Sequence, residues 1–429
     1  MQTASYLVGF GEADITPRDP VRLHGYYYER VSTAVHDRLR ARSMAVSDGR
    51  CRLVICIADL VRLTGEVVAE TRKLIRESCG LGAENLLLAV IHTHTGPVVD
   101  AGTPYAATLP RLLAESVRLA LQDLSSAELQ MAHAEGPAVQ FIRRYRMKDG
   151  SVRTNPGILN PDVVAPIGVV DPELSVLLAT DAGRVRGGLV HFALHCDTIG
   201  GTEISADWTY YVRKRMQKEF GENLRLLTPI GPAGDVNHWN VFADVSLRGF
   251  AEAERIGCAI GDVAVKALRD GTQRVAAGKV IGLRKEIEVL LRMPSKAELA
   301  AARQVLSQPP PKGVDFTMER VEALRCVRVA EIGPAVRADI GLLAFGDVAL
   351  VGIPAEFFTE LGREIKRKSP FRHTLVVTLA HASLVYIGAR RNYEEGGYEM
   401  TSSIVVPGTG EQMVDAVLEL LNKARNMSD

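Results

Sequence analysis

Apolar residues gather in short runs that alternate with stretches of helical period along most of the chain. Residues 52–58 read RLVICIA, an unbroken apolar run rich in β-branched side chains, which predicts a buried strand ending at Asp59. Over 66–79, Val67, Val68, Thr71, Leu74 and Ile75 fall on one helical face, and Gly80 stands where such a helix stops. Strands are expected at 86–91, 188–194 and 224–229, and helices at 109–124, 207–220 (closed by Gly221) and 250–268. Residues 342–351 read as a hairpin turning at Gly346-Asp347. It leads through Gly352-Ile353-Pro354 into Glu356 and a helix ending near Lys368; a strand at 374–379 and a helix at 411–427 complete the pattern. The expected class is α/β, mixed β-sheets layered with helices, with its site at the carboxyl ends of strands.

Two stretches depart from this pattern. Residues 141–172 are rich in Arg, Asn, Pro and Asp and show little periodicity. A loop of that length inside a folded domain is functional or disordered, and the turns Asn155-Pro156-Gly157 and Asn160-Pro161-Asp162 favour an ordered loop over a site. Residues 293–327 read as two helical runs around Pro309-Pro310-Pro311, a helical insertion able to serve as a lid or an oligomer contact.

Composition narrows the function. At 429 residues and 47% hydrophobic, the chain can bury a large core. Its 51 basic and 51 acidic residues cancel, so no overall field draws it to nucleic acid or to an anionic membrane. It contains no apolar run of roughly 18 residues, the length that crosses a bilayer. From Met1 to Tyr6 there is no basic segment leading into an apolar one, so the expected location is cytoplasmic. The six cysteines are scattered without a Cys-x-x-Cys, which predicts free thiols in a reducing compartment. The expected partner is a small-molecule substrate, with self-association left open.

The candidate chemistry lies where apolar runs stop. Four of them finish at or near His92-Thr93-His94, His195, Glu356 and Tyr386, residue types that can bind one metal ion. In a regular strand alternate side chains face opposite ways, so one of His92 and His94 would bind the metal and the other face the substrate. Singly, each residue has an ordinary explanation: a satisfied core histidine, a carboxylate in the first turn of a helix, a half-buried tyrosine. Gly231-Pro232-Ala233-Gly234-Asp235-Val236-Asn237 lets backbone approach a ligand closely, and Asp235 could orient a histidine. Arg143-Arg144-Tyr145 could clamp an anionic or carbonyl group. There is no Gly-x-Ser-x-Gly elbow, no Walker A loop and no His-Glu-x-x-His helix.

A series of segments carries a family resemblance. They are Val8-Gly9-Phe10-Gly11-Glu12-Ala13-Asp14-Ile15-Thr16-Pro17, Arg40-Ala41-Arg42, Ala58-Asp59-Leu60, Thr93-His94-Thr95-Gly96-Pro97, Phe192-Ala193-Leu194-His195, Ile204-Ser205-Ala206-Asp207, Gly234-Asp235-Val236, Glu356, and Tyr386 with Tyr393 and Tyr398-Glu399. In this order they resemble the N-terminal catalytic domain of the neutral/alkaline non-lysosomal ceramidases, over nearly the whole chain. The resemblance implies a catalytic zinc held by His92, His195, Glu356 and Tyr386, with His94 facing the substrate and Arg143 in the pocket. In that family the site hydrolyses the amide of ceramide. This chain departs from the pattern where the family's reactive serine follows Gly-Asp-Val: the position holds Asn237, and the next, a proline in the family, holds His238. The family's C-terminal β-domain has no counterpart, so residues 1–429 are expected to form a single catalytic domain. The 143–172 loop resembles a bacterial ceramidase-like subgroup.

The expected function is a zinc hydrolase cleaving an amide or ester bond by metal-activated water, on a substrate smaller and more polar than ceramide. His94 would serve the oxyanion or shuttle a proton, and Asn237 would supply an amide hydrogen bond. The alternative is a metal-dependent lyase or other carbohydrate-active enzyme acting on a sugar acid, with His94 or Tyr393 as base and Arg143, Arg144, Asn237, His238 and Arg390 forming a polar pocket. A third expectation is a metal-binding homologue without catalysis.

Overall fold

Alternation within strands decides the layering. In the strand Ala335–Phe345, Leu343 and Phe345 enter one hydrophobic cluster, while Ile340, Leu342 and Ala344 enter another. The strand Val348–Gly352 divides the same way, Val348 and Leu350 against Ala349 and Val351. These strands belong to a four-stranded sheet in the order Val280–Leu290, Ala335–Phe345, Val348–Gly352, His373–Val377. It is apolar on both faces because both are covered. One face meets Met44, Leu177 and Leu189 of a larger sheet; the other meets Met413, Val417 and Leu421 of the helix Thr409–Ser428. The structure is a computed structural model and describes residues 6–244, 248–309 and 316–428.

The larger sheet runs Arg225–Leu227, Arg184–His191, Glu173–Asp181, Ser125–Glu135, Tyr6–Asp14, Arg40–Ser47, Arg52–Ala58, Leu86–Val90. Its two outermost pairings are parallel and the rest antiparallel. Helices Gly65–Cys79, Pro104–Gln122, Trp208–Phe220 and Phe250–Asp270 bury Val67, Leu113, Val212 and Ile256 in the same core. The order of layers is helix, sheet, sheet, helix, the mixed α/β class expected from the sequence.

Several elements fall where the apolar pattern sets them. The strand Arg52–Ala58 and the helix Gly65–Cys79 do, and Gly80 caps that helix in the left-handed region at φ 64°. The hairpin turns at Gly346 as expected. The second helix starts at Pro104 rather than 109, because the Thr103 hydroxyl accepts from the Ala106 backbone N–H and Pro104 suits the first turn; Pro110 is carried inside it. Ser125–Glu135 gave little sign of itself: its alternation rests on Ala127, Leu129 and Met131 among Ser, Glu and Gln, and it pairs on both sides. The 141–172 stretch is built from short strands, Arg144–Met147, Val152–Thr154 and Val163–Pro166, while Phe141–Ile142 pairs with Val236–Asn237. Helices Lys296–Ser307 and Met318–Ile332 occupy the stretch read as two helical runs, the second reaching past 327; Pro309 is described, while Pro310 and Pro311 lie outside the described residues.

Candidate metal centre

Three strand ends meet at one point. His92 lies two residues past Leu86–Val90, His195 four past Arg184–His191, and Glu356 four past Val348–Gly352. The backbone at His92 sits in the left-handed region at φ 65°, which corrects the expectation of a regular strand there. The reversal abolishes the alternation, so His92 and His94 face the same way, with their Nε2 atoms 3.3 Å apart. Ring nitrogens of His92, His94 and His195 all lie within 4.8 Å of one another. The backbone locks this arrangement: His92 N–H donates to the Leu60 carbonyl (2.8 Å) and His94 N–H to the Cys196 carbonyl (3.1 Å).

The sequence motifs explain the lock. Thr93 turns away from the rings, and its hydroxyl and that of Thr95 both donate to the Ser205 carbonyl, at 2.6 and 3.0 Å. Asp37 in turn accepts from the Ser205 hydroxyl and the Ala206 N–H. Asp207 takes the backbone N–H groups of Thr198, Ile199 and Trp208, and Trp208 donates its indole N–H to the His195 carbonyl (3.1 Å). The Ser205-Ala206-Asp207 segment therefore fixes both histidine-bearing turns.

The tautomers are set from outside. His92 Nδ1 donates to the Val61 carbonyl (2.8 Å) and His195 Nδ1 faces the Ala233 carbonyl (3.3 Å), which leaves both Nε2 lone pairs pointing inward. Glu356 Oε2 lies 3.3 Å from His92 Nε2 and 3.9 Å from His195 Nε2. Glu356 Oε2 and His195 Nε2 are buried without a hydrogen-bond partner. A buried carboxylate oxygen and a buried imidazole lone pair aimed at one point are what a cation would satisfy, and nitrogen and oxygen donors suit zinc. Tyr386 joins through the parallel pairing of Glu356–Phe357 with Tyr386–Ile387, which puts Glu356 and Tyr386 in register.

Burial dominates the electrostatics. It pushes His94 and His195 well below the ordinary imidazole value, and the His92 charge adds to the push. Burial would lower His92 as well, but Glu356 lifts it above that value. Glu356 is itself held below the usual carboxylate range, against burial, by His92 and Arg143. The Tyr386 phenol is driven well up by burial and then by the Glu356 charge, so it keeps its proton unless a cation lies against it.

The other expected site residues divide into near and far. Arg143 lies with its guanidinium 5.2 Å from the Tyr386 ring centre; it donates to Glu399 (2.8 Å) and to the Gly234 carbonyl (2.8 Å). Arg144 donates to Glu395 (3.0 Å) and to the Gly396 carbonyl (2.8 Å), so its charge is already answered within the fold. Asn237 donates to Asn155 (2.9 Å) and accepts from the Trp239 N–H (3.0 Å). Among the described residues Asp235 bonds no histidine: its carboxylate accepts from the Thr359 N–H and hydroxyl at the start of the helix Thr359–Lys368. His238 is buried beside Trp239. Tyr393 bonds Ser403 (3.0 Å), and with Arg390 it lines a separate cleft beside Arg292 and Glu322, which none of the three histidines reaches.

Sequence reading missed the segment His24-Gly25-Tyr26. A β-carbon on Gly25 would lie 2.7 Å from the His94 ring, so only glycine passes there. The Tyr26 ring meets His94 edge-on, its hydroxyl donates to Asp197, and Asp197 lies 3.5 Å from His94 Nδ1. Arg30 stacks over Tyr26 and donates to the His94 carbonyl (2.6 Å). The one sequence signal was the aromatic run Tyr26-Tyr27-Tyr28 beside a histidine and a glycine.

No family model matches the chain. It is 25% identical to neutral ceramidase of Pseudomonas aeruginosa over 480 aligned positions, covering 94% of this chain and 70% of that protein. Neutral ceramidase 1 of Arabidopsis thaliana is 32% identical over 100 residues, only 22% of this chain. The crystal structure of the Pseudomonas aeruginosa enzyme superposes on 98% of the chain with a TM-score of 0.76 at 20% identity, covering 75% of that structure. A structure described as ceramidase complexed with C2 superposes with a TM-score of 0.73 at 19% identity, covering 99% of this chain and 76% of its own.

Proposed function

Taking homology with neutral ceramidase as the premise, we propose that this protein is a zinc-dependent hydrolase that cuts an amide or ester bond with water. The observation that carries the reading is the convergence of three imidazoles beside the orphaned Glu356 oxygen. His92, His195 and Glu356 would hold the ion, with Tyr386 in register beside Glu356. When bound, a divalent ion there polarises a carbonyl and lowers the pKa of water.

The remaining work belongs to side chains. His94, with Asp197 behind its Nδ1, moves a proton at Nε2. Arg143, held by Glu399, keeps positive charge against the pocket wall and favours a developing oxyanion. Asn237 has no nucleophilic atom, so attack falls to water. Its Nδ2 carries a second hydrogen beyond the bond to Asn155, available to the oxyanion. Tyr27, Phe316 and Tyr398 pack together next to Tyr386, a wall that suits a substrate smaller than a two-chain lipid. Residues 1–429 are read as one catalytic unit. Six unpaired cysteines support a cytoplasmic setting, and among the described residues no helix is long and apolar enough to cross a membrane.

The test is metal analysis of purified protein together with turnover of a panel of short amides and esters. Zinc near one ion per chain, and turnover that a chelator abolishes and zinc restores, are expected. A metal-free protein, or turnover indifferent to chelation, would end the reading.

A further inference from the structure

The short helix Arg390–Glu395, RRNYEE, carries its charges the wrong way round. A helix favours acids in its first turn and bases in its last, and an acid four residues before a base outperforms the reverse order. Here two arginines open the helix and two glutamates close it. The fold answers half of this arrangement: Arg391 pairs with Glu360, and Glu395 with Arg144 at 3.0 Å. The side chains of Arg390 and Glu394 form no hydrogen bond or ion pair among the described residues. Those two are the ones that line the cleft beside Arg292 and Glu322. Its volume is about 470 Å³, within the range of roughly 300–1,000 Å³ that holds small molecules.

The positive groups are set in place by backbone. The Arg390 guanidinium lies across Gly408, where a β-carbon would fall 2.4 Å from its Nη2, so only glycine lets it pass. Its own N–H is taken by Glu411 (2.8 Å), so the charge, not the helix end, is what it offers. Arg292, just past the strand Val280–Leu290, donates from Nη1 to the Met400 and Ser403 carbonyls at 2.7 and 3.1 Å. Its Nε and Nη2 bond nothing among the described residues. The negative groups are Glu394, one helical turn from Arg390, and Glu322 of the helix Met318–Ile332, whose nearest cation is Arg325 at 3.6 Å. No ion pair joins any two of Arg292, Arg390, Glu322 and Glu394, although all four line one cleft. An anion alone would face both glutamates there, and a cation alone both arginines. A ligand carrying both charges satisfies both sets.

We propose that this cleft binds a free amino acid as its zwitterion, the carboxylate on Arg390 and Arg292 and the ammonium on Glu394 and Glu322. A guanidinium presents paired N–H donors that fit a carboxylate, and an ammonium brings three donors to carboxylate acceptors. Tyr393 and Met400, which also line the cleft, are left for the ligand's side chain. None of His92, His94 and His195 lines it, so the site stands apart from the hydrolase reading.

The experiment is calorimetric titration of the full chain with each proteinogenic amino acid, and with the N-acetyl and carboxamide forms of every one that binds. At least one free amino acid should bind, and blocking either end should weaken it roughly 10-fold. Arg390→Gln should erase the discrimination against the carboxamide and keep that against the N-acetyl form; Glu394→Gln should do the reverse. Both side chains are exposed, so neither change removes a buried contact. The assignment falls if no amino acid binds, if a blocked form binds as tightly as the free one, or if either variant leaves the pattern unchanged. Inorganic phosphate binding tighter than every amino acid would make the cleft an anion site instead. Free against blocked forms is a comparison on the unaltered chain, so it decides the matter even where a variant does not fold. It needs neither zinc nor turnover, so failure of the hydrolase reading leaves it standing.

Discussion

Two histidine clusters sit on the same framework and differ in what their nitrogens have left to offer. At the candidate metal centre the His92 ring stands nearly perpendicular to those of His94 and His195, and the outer Nδ1 atoms of His92 and His195 face backbone carbonyls, so lone pairs converge inward. His133 and His373, where the larger sheet meets the smaller, lie stacked at 16° with His133 Nε2 hydrogen-bonded to His373 Nδ1 at 2.7 Å. Those two nitrogens satisfy each other, whereas at the metal centre His195 Nε2 and Glu356 Oε2 stay without a partner beside the longer His92–His94 contact of 3.3 Å. The difference teaches that histidine density does not make a metal site; unengaged lone pairs aimed at a shared point do, and backbone acceptors behind the rings provide them.

The sharpest break of the comparison is removal of one ring from each cluster. His195→Ala should drop bound zinc from near one per chain to near zero, while His133→Ala should leave it unchanged, as read by metal analysis after dialysis. Equal loss in both would dissolve the distinction.

The next test uses the charges around the clusters. Arg143 and Glu399 form a buried pair beside the metal centre, whereas Glu173 beside His133 is half exposed. Arg143→Met strands Glu399 with Thr154 and the more distant Arg144, and should cost about 3 kcal/mol in denaturant unfolding. A cost below about 1 kcal/mol, the scale of an exposed pair, would mean that the network is not held in its buried form.

The smallest effect is a pH slope. Burial holds His133 and His373 below the ordinary imidazole value, so between that value and their folded ones the unfolded chain binds more protons. Stability from this pair is full above about pH 6.5 and is lost as pH falls below it. Replacing His133 with Gln should flatten that limb by at most about 1 kcal/mol, because the His133 side chain is only partly buried, with 30% still open to solvent. An unchanged slope in thermal melts from pH 7.5 to 5 would show that the pair does not titrate with folding.

Much of this could be read from the chain, for identifiable reasons. Strands buried on both faces, such as Arg52–Ala58 and Leu86–Val90, announce themselves as unbroken apolar runs. Ser125–Glu135 and Glu173–Asp181 did not stand out, and without them the antiparallel centre of the larger sheet was invisible. The histidines and Glu356 were legible because each follows the end of such a run. That His92 and His94 would share a face was not, since a positive φ on histidine has no local sequence signature and is imposed by tertiary bonds to Leu60 and Cys196. Asp235 misled because a glycine-rich turn carries no information about which neighbour its carboxylate will meet, here Thr359.

The reversed backbone at His92 also bears on which ion the protein can choose. The ligand His92 is held by Leu60 and its neighbour His94 by Cys196, with Gly25 leaving no room for the His94 ring to swing back, so the jaw that His92 forms with His195 and Glu356 has its opening set during folding. Such a jaw cannot widen for a large cation that prefers a shell of six to eight oxygens. It rewards an ion content with few donors and nitrogen bonds of roughly 2.0 Å. Selectivity here would be a property of main-chain torsion, written into the chain before any metal is encountered.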